Sequence, residues 1–193
     1  MSVVAWTDAD PIAAAASGAL PPWAEVRPGR RAHLVRVAGL LEAWARASGR
    51  PEEEIRRWRA AGILHDALRD ADPDHLRPWV EPRFLHWPPA LWHGPATAAR
   101  LGEAVDADVR QAIAYHSVGA GDLGELGRAL YLADFLDPAR AWGRQWRAAL
   151  LARLPSELGA VLEEVVAARL GHQLRQGWPL LPEAVAFWNR CVR

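Results

Sequence analysis

Lysine is absent from the 193-residue chain, and all 23 of its basic residues are arginine. Alongside abundant alanine this is a compositional bias, and no function attaches to it. One cysteine, Cys191, stands near the C-terminal end, which excludes an intrachain disulfide and suits a reducing compartment. Net charge is missing too, since 23 acidic residues balance the 23 basic ones. A neutral chain exerts no long-range pull on nucleic acid or an anionic membrane, so neither is an expected partner and anion recognition must come from a local patch. No apolar run approaches the roughly 20 residues that span a bilayer. The opening stretch MSVVAWTDADP lacks a basic start and carries Asp8 and Asp10, unlike a secretory signal, which leaves the cytoplasm as the expected location.

Period-two clusters of β-branched residues are also lacking, while apolar residues recur at helical spacing almost throughout. The expected fold is all-α. A hydrophobic fraction of 51% and a charged fraction of 24%, without repeats or an evident linker, suit one globular domain. The spacing and the breakers predict helices from about Pro11 to Gly18, Arg30 to Ser48, Pro51 to Leu68, Pro95 to Glu103, Asp106 to Ser117, Leu123 to Phe135 and Arg140 to Leu154, with two more over 156–176 and 182–191. Residues 71–95 hold six prolines and should be mostly loop with short helical turns. The eleven tryptophans are scattered, which favours ordinary packing over a single aromatic platform.

What is present against this background is a set of polar residues on apolar faces. His33 shares a helix face with Val37, Leu40, Leu41 and Trp44. His65 follows Trp58 and Ala61 in GILHDALRD, with Asp66 beside it; His116 lies on the stripe of Val109, Ala112 and Ile113; Asp134 continues Leu123, Leu126 and Leu130. His93 closes the proline-rich stretch. A single inward histidine is usually a satisfied core residue, but a buried carboxylate needs a cation or several donors. Four histidines and two aspartates exceed what one open metal site usually takes from protein. Shared by two ions, with one carboxylate bridging, they leave room for a hydrolytic water or hydroxide between the metals. Mixed imidazole and carboxylate ligation suits iron, manganese or zinc better than magnesium or calcium.

The order His33, His65-Asp66, His93, His116, Asp134 resembles the HD-domain metal-dependent phosphohydrolase superfamily. The words RRAHLVRV, GILHDALRD, LWHGPATAA, AIAYHSVGAG and ALYLADFLDPAR resemble its YqeK-type branch, the symmetrical diadenosine tetraphosphate hydrolases. The resemblance implies a helical HD domain over residues 23–193, preceded by an extension or divergent first helix over 1–22. It further implies a di-iron centre, with manganese as the other candidate metal, that splits the tetraphosphate into two ADP. Carried over by position, His33, His65, Asp66 and Asp134 would bind one ion, and Asp66, His93 and His116 the other, with Asp66 bridging. Arg69, Ser117 and Asp137 stand where the branch commonly has lysine, threonine and glutamate.

The substrate implied is a nucleotide polyanion, for which fork-like arginine contacts are suited. Arg30, Arg69, Arg140 and Ser117 occupy matching places and are the expected phosphate contacts, whereas Arg27, Arg31 and Arg36 read as a solvated helix face. ADP is a good leaving group, so no general acid is required; Asp70 is the weak candidate. His75, His86 and His172 fall off the motif, with His86 the best placed of the three to approach the site. Trp87 and Trp92 could stack on adenine, although packing around the metals is the plainer role. The alternatives are another nucleotide substrate on the same metals, or a regulatory nucleotide-binding module, which the intact ligand set disfavours.

Overall fold

The computed structural model describes residues 6–192; the first five residues of the expected extension, and Arg193, lie outside them. Among the described residues every regular element is helical. The first helix, α1 (Pro11–Ala16), starts on a proline and is capped by Asp10, whose carboxylate accepts from the Ala13 amide at 2.9 Å. Pro28 likewise opens α2 (Pro28–Ala47), two residues earlier than the apolar pattern indicates. The first turn of α3 (Glu52–Leu64) holds Glu52, Glu53 and Glu54, which complement the positive end of the helix.

The proline-rich segment behaves as expected. It forms one short helix, α4 (Pro73–Leu76), and three 3-10 turns, Arg77–Trp79, Pro82–Phe84 and Pro89–Leu91, each with a proline in its first two positions. Then follow α5 (His93–Leu101), α6 (Ala107–Tyr115), α7 (Glu125–Phe135), α8 (Arg144–Leu151), α9 (Leu158–Arg175) and α10 (Pro182–Cys191). α8 starts later than expected because the chain after α7 is first turned by Asp137: its carboxylate accepts from the Ala139 amide and its carbonyl from the Arg140 amide, both at 3.1 Å. Gly143, in the left-handed region at φ 60°, completes the entry.

α3 and α7 lie at the centre, with α2 packed against both. Residues 60–68 and 129–137 are buried without a break, so these stretches face protein on every side. Two glycines let backbones meet. A Cβ on Gly62 would lie 2.6 Å from the Ala38 Cα, so α3 crosses α2 at main-chain contact; a Cβ on Gly94 would lie 2.9 Å from the Ile113 carbonyl, which seats α5 on α6 equally closely. α1 packs on α3, and the Ala16 carbonyl accepts from Arg59 Nε at 2.6 Å.

The expected continuation of α3 to Leu68 is corrected: the helix stops at Leu64, and the chain tightens into turns in which the Ala67 and Arg69 amides reach back three residues. The Gly62 carbonyl, left free at the helix end, accepts instead from His65 Nδ1 at 2.9 Å. α6 ends in the same way, one residue before His116, whose Nδ1 donates to the Ile113 carbonyl at 2.8 Å.

Candidate metal centre

Nine polar or charged residues are buried among the described ones, and seven of them, His33, His65, Asp66, His93, His116, Asp134 and Asp137, come together at the inner ends of these helices. α2 supplies His33, the turn after α3 supplies His65 and Asp66, the start of α5 supplies His93, the end of α6 supplies His116, and the last turn of α7 supplies Asp134. Asp66 is central. Its Oδ1 lies 3.1 Å from His93 Nε2 and 3.3 Å from His116 Nε2, and its Oδ2 lies 3.7 Å from His65 Nε2 and 3.9 Å from His33 Nε2. One carboxylate thus presents an oxygen to each of two histidine pairs. Asp134 Oδ1 lies 3.1 Å from His33 Nε2, on the outer side of that pair.

The Nδ1 atoms fix how the rings are used. His65, His93 and His116 each donate Nδ1–H to the carbonyl three residues back, at 2.9, 3.0 and 2.8 Å. A carbonyl only accepts, so these rings carry their proton on Nδ1 and offer a lone pair at Nε2. His33 makes the equivalent bond to a side chain, with Nδ1 2.7 Å from Asp137 Oδ2. Arg36 grips the same carboxylate through two bonds of 2.6 and 2.8 Å.

Burial disfavours charge on His65 and lowers its pKa to about 4, against the pull of Asp66. Burial likewise lowers His93. His33 is buried as well, but Asp134, Asp137 and Asp66 outweigh that and raise its pKa. Burial alone would raise the carboxylates, yet Asp134, beside His33 and Arg140, is held well below the ordinary range.

Cations fit this donor set. His65 Nε2 is buried with no hydrogen-bond partner. His93 Nε2 and His116 Nε2 are 3.2 Å apart, two lone pairs facing each other unless a positive charge lies between them. His33, His65 and Asp66 form one group whose donor atoms all lie within 4.8 Å of one another, and Asp66, His93 and His116 form a second. Donor atoms grouped this closely could hold a cation, and imidazole nitrogen and carboxylate oxygen are ordinary ligands for one. The unsatisfied nitrogens would cost folding free energy as plain core.

Of the expected phosphate contacts, Arg30, Arg140 and Ser117 stand against the cluster. Arg30 Nη1 lies 2.8 Å from Asp66 Oδ2 and Arg140 Nη2 lies 2.5 Å from Asp134 Oδ1. Ser117 Oγ is 3.0 Å from His116 Nε2. Arg69 makes no ion pair among the described residues, yet its charge is felt at His93. A groove of about 510 Å³ opens beside His33, lined by Arg27, Arg30, Arg36, Arg140 and Asp70 among others. Asp70 accepts from the Arg27 amide at 2.9 Å.

Other expectations are corrected. Arg36 is only partly solvated, because its guanidinium clamps Asp137, a buried carboxylate left out of the expected site. No signal in the sequence marks this pair, since neither residue interrupts an apolar face. His86 does not approach the centre, because it is exposed and pairs with Glu183 at 3.1 Å. Trp87 and Trp92, by contrast, take the plainer of the two roles expected of them and are core residues.

With this arrangement established, sequence comparison places the chain. A family model described as the HD domain matches residues 30–139. The chain belongs to the HD domain family. It is similar to two bacterial proteins, each named bis(5'-nucleosyl)-tetraphosphatase, symmetrical. The Halalkalibacterium halodurans protein is 26% identical over 140 residues, 68% of this chain and 74% of that protein; the Bacillus subtilis protein is 25% identical over 166 residues, 82% and 88%. The fold is also that of a solved HD superfamily hydrolase, described as predicted and as involved in NAD metabolism, from Clostridium acetobutylicum. The TM-score is 0.72 at 19% identity, over 83% of this chain and 87% of that one. No helix among the described residues is long and apolar enough to cross a membrane.

Proposed function

We propose that this HD-family chain is a metal-dependent hydrolase that cleaves a dinucleoside tetraphosphate, such as diadenosine tetraphosphate, symmetrically into two nucleoside diphosphates. The observation that carries the reading is Asp66, which turns one oxygen to His93 and His116 and the other to His33 and His65. In this reading His33, His65, Asp66 and Asp134 hold one ion and Asp66, His93 and His116 the other; iron is the expected metal, and manganese accepts the same donors. When bound, the pair would polarise a phosphoryl oxygen and lower the pKa of a water between them. The substrate is taken from the two relatives' names and agrees with the arginines around the centre.

The chain's own residues divide the remaining work. Asp66 fixes the spacing of the two halves. Arg30, Arg69, Arg140 and Ser117 receive phosphoryl oxygens, Arg69 being the arginine with no carboxylate already beside it among the described residues. The departing diphosphate has a second pKa of about 6, like other phosphomonoesters, and leaves without an obligatory acid. Residues 23–193 form the catalytic body, with 1–22 as its extension.

The test is anaerobic purification with metal analysis, followed by product analysis on diadenosine tetraphosphate. Two ADP per substrate are expected, and Asp66→Ala should abolish both metal loading and turnover. ATP plus AMP as products, or no turnover with about two ions bound, overturns the reading.

A further inference from the structure

Among the described residues three tryptophans, Trp79, Trp142 and Trp178, stand exposed outside the core, and two of them share one cleft. Trp142, in the turn before α8, and Trp178, just after α9, are each 56% exposed. Both line one cleft of about 520 Å³, whose other walls include Asp134, Arg140, Arg169 and His172. Its volume falls in the range of small-molecule sites. The cleft therefore reaches the candidate metal centre at Asp134 and Arg140, and both indole rings form part of its wall.

Each ring is braced by its neighbours. The Arg147 guanidinium lies 3.8 Å from the Trp142 ring centre, and Trp146 stacks on Trp142 at an interplanar angle of 29°. His172 meets Trp178 edge-on, with ring centres 5.7 Å apart. Arg169 fastens the cleft to the centre: its guanidinium donates to the Ser117 carbonyl at 2.6 Å and lies 4.6 Å from the Tyr131 ring. The wall of the cleft thus combines Asp134 and Arg140 of the candidate centre with a second arginine, Arg169, and two exposed indoles. A nucleoside diphosphate carries the matching groups, an anionic phosphate chain and a flat aromatic base.

We infer that this cleft seats one nucleoside half of the substrate, with Trp142 and Trp178 clamping the purine base and Arg140 and Arg169 flanking the phosphate chain. The inference rests on the hydrolase reading for its substrate but concerns residues that reading does not use. The groove beside His33 is lined by arginines and has no aromatic wall, so the base is recognised on the Trp142 side.

The test measures binding of ADP and of inorganic pyrophosphate to the metal-loaded chain by titration calorimetry, in Trp142→Ala, Trp178→Ala and Trp142→Phe variants. Base–aromatic stacking is worth enough that each alanine variant should weaken ADP binding about 5- to 150-fold. Pyrophosphate binding should stay unchanged, Trp142→Phe should recover most of the ADP affinity, and KM for diadenosine tetraphosphate should rise more than kcat falls. Equal weakening of ADP and pyrophosphate, or unaltered ADP binding in both alanine variants, overturns the clamp. ADP affinity is read without turnover, so a chain that binds ADP through these tryptophans but cleaves nothing defeats the hydrolase reading alone. Normal cleavage with an unaltered KM in both alanine variants defeats the clamp alone.

Discussion

Four imidazoles enter the candidate centre through Nε2, but they are not held alike. His65, His93 and His116 hang on main-chain carbonyls that no substitution removes, whereas His33 depends on Asp137. Such outer partners orient a ligand and raise its basicity, and losing one typically costs 10- to 100-fold in metal affinity. Asp137→Ala should therefore weaken by about that factor the ion held with His33, leaving the ion held by His93 and His116 near its original affinity. Metal titration resolving two affinities checks this; equal weakening of both would show that the halves are coupled through Asp66. At this scale the ligands were legible in the sequence, because a histidine or aspartate on an apolar stripe is conspicuous. Asp137 and Arg36 were not, since neither interrupts an apolar face and their meeting is set by how α2 meets the turn after α7.

Helix identity along the chain follows from apolar spacing and from prolines placed at first turns. Helix ends were less legible, and α3 shows why: the contest between amide and imidazole for the Gly62 carbonyl is settled by side-chain geometry that periodicity does not encode. Glycine has the same ambiguity, since Gly39 and Gly62 both sit inside helices yet differ in what surrounds them. Nothing lies within 4 Å of a Cβ built on Gly39, whereas one on Gly62 would strike Ala38 backbone at 2.6 Å. Gly39→Ala should stabilise the chain by about 0.5–1 kcal/mol through helix propensity. Gly62→Ala should destabilise it by about 1–3 kcal/mol by forcing α2 and α3 apart. Thermal melts of the two variants should move in opposite directions; a shared direction would show that the α2–α3 contact is not tight.

Over the whole molecule, the candidate ligands span residues 33–134 and come from α2, α3, α5, α6 and α7 or the turns at their ends. An ion that binds only the folded chain stabilises it by about 2.7 kcal/mol at a hundred times its Kd. Added Mn²⁺ should accordingly raise the melting temperature of the chelator-treated chain, and Asp66→Ala should remove the rise; an undiminished rise in that variant would place the stabilising ion elsewhere. Sequence pattern conveyed the all-α class, but not which tryptophans would stay outside the core, because exposure of Trp142 and Trp178 depends on how α8 and α9 close over α7. The proline-started turns between α4 and α5 have a wider consequence. Proline narrows the conformations open to an unfolded chain as well as the folded one, so this segment has less freedom to lose on folding than its length suggests. The longest connection in the molecule, the one that delivers His93, is thus a strut already half-shaped in the denatured chain.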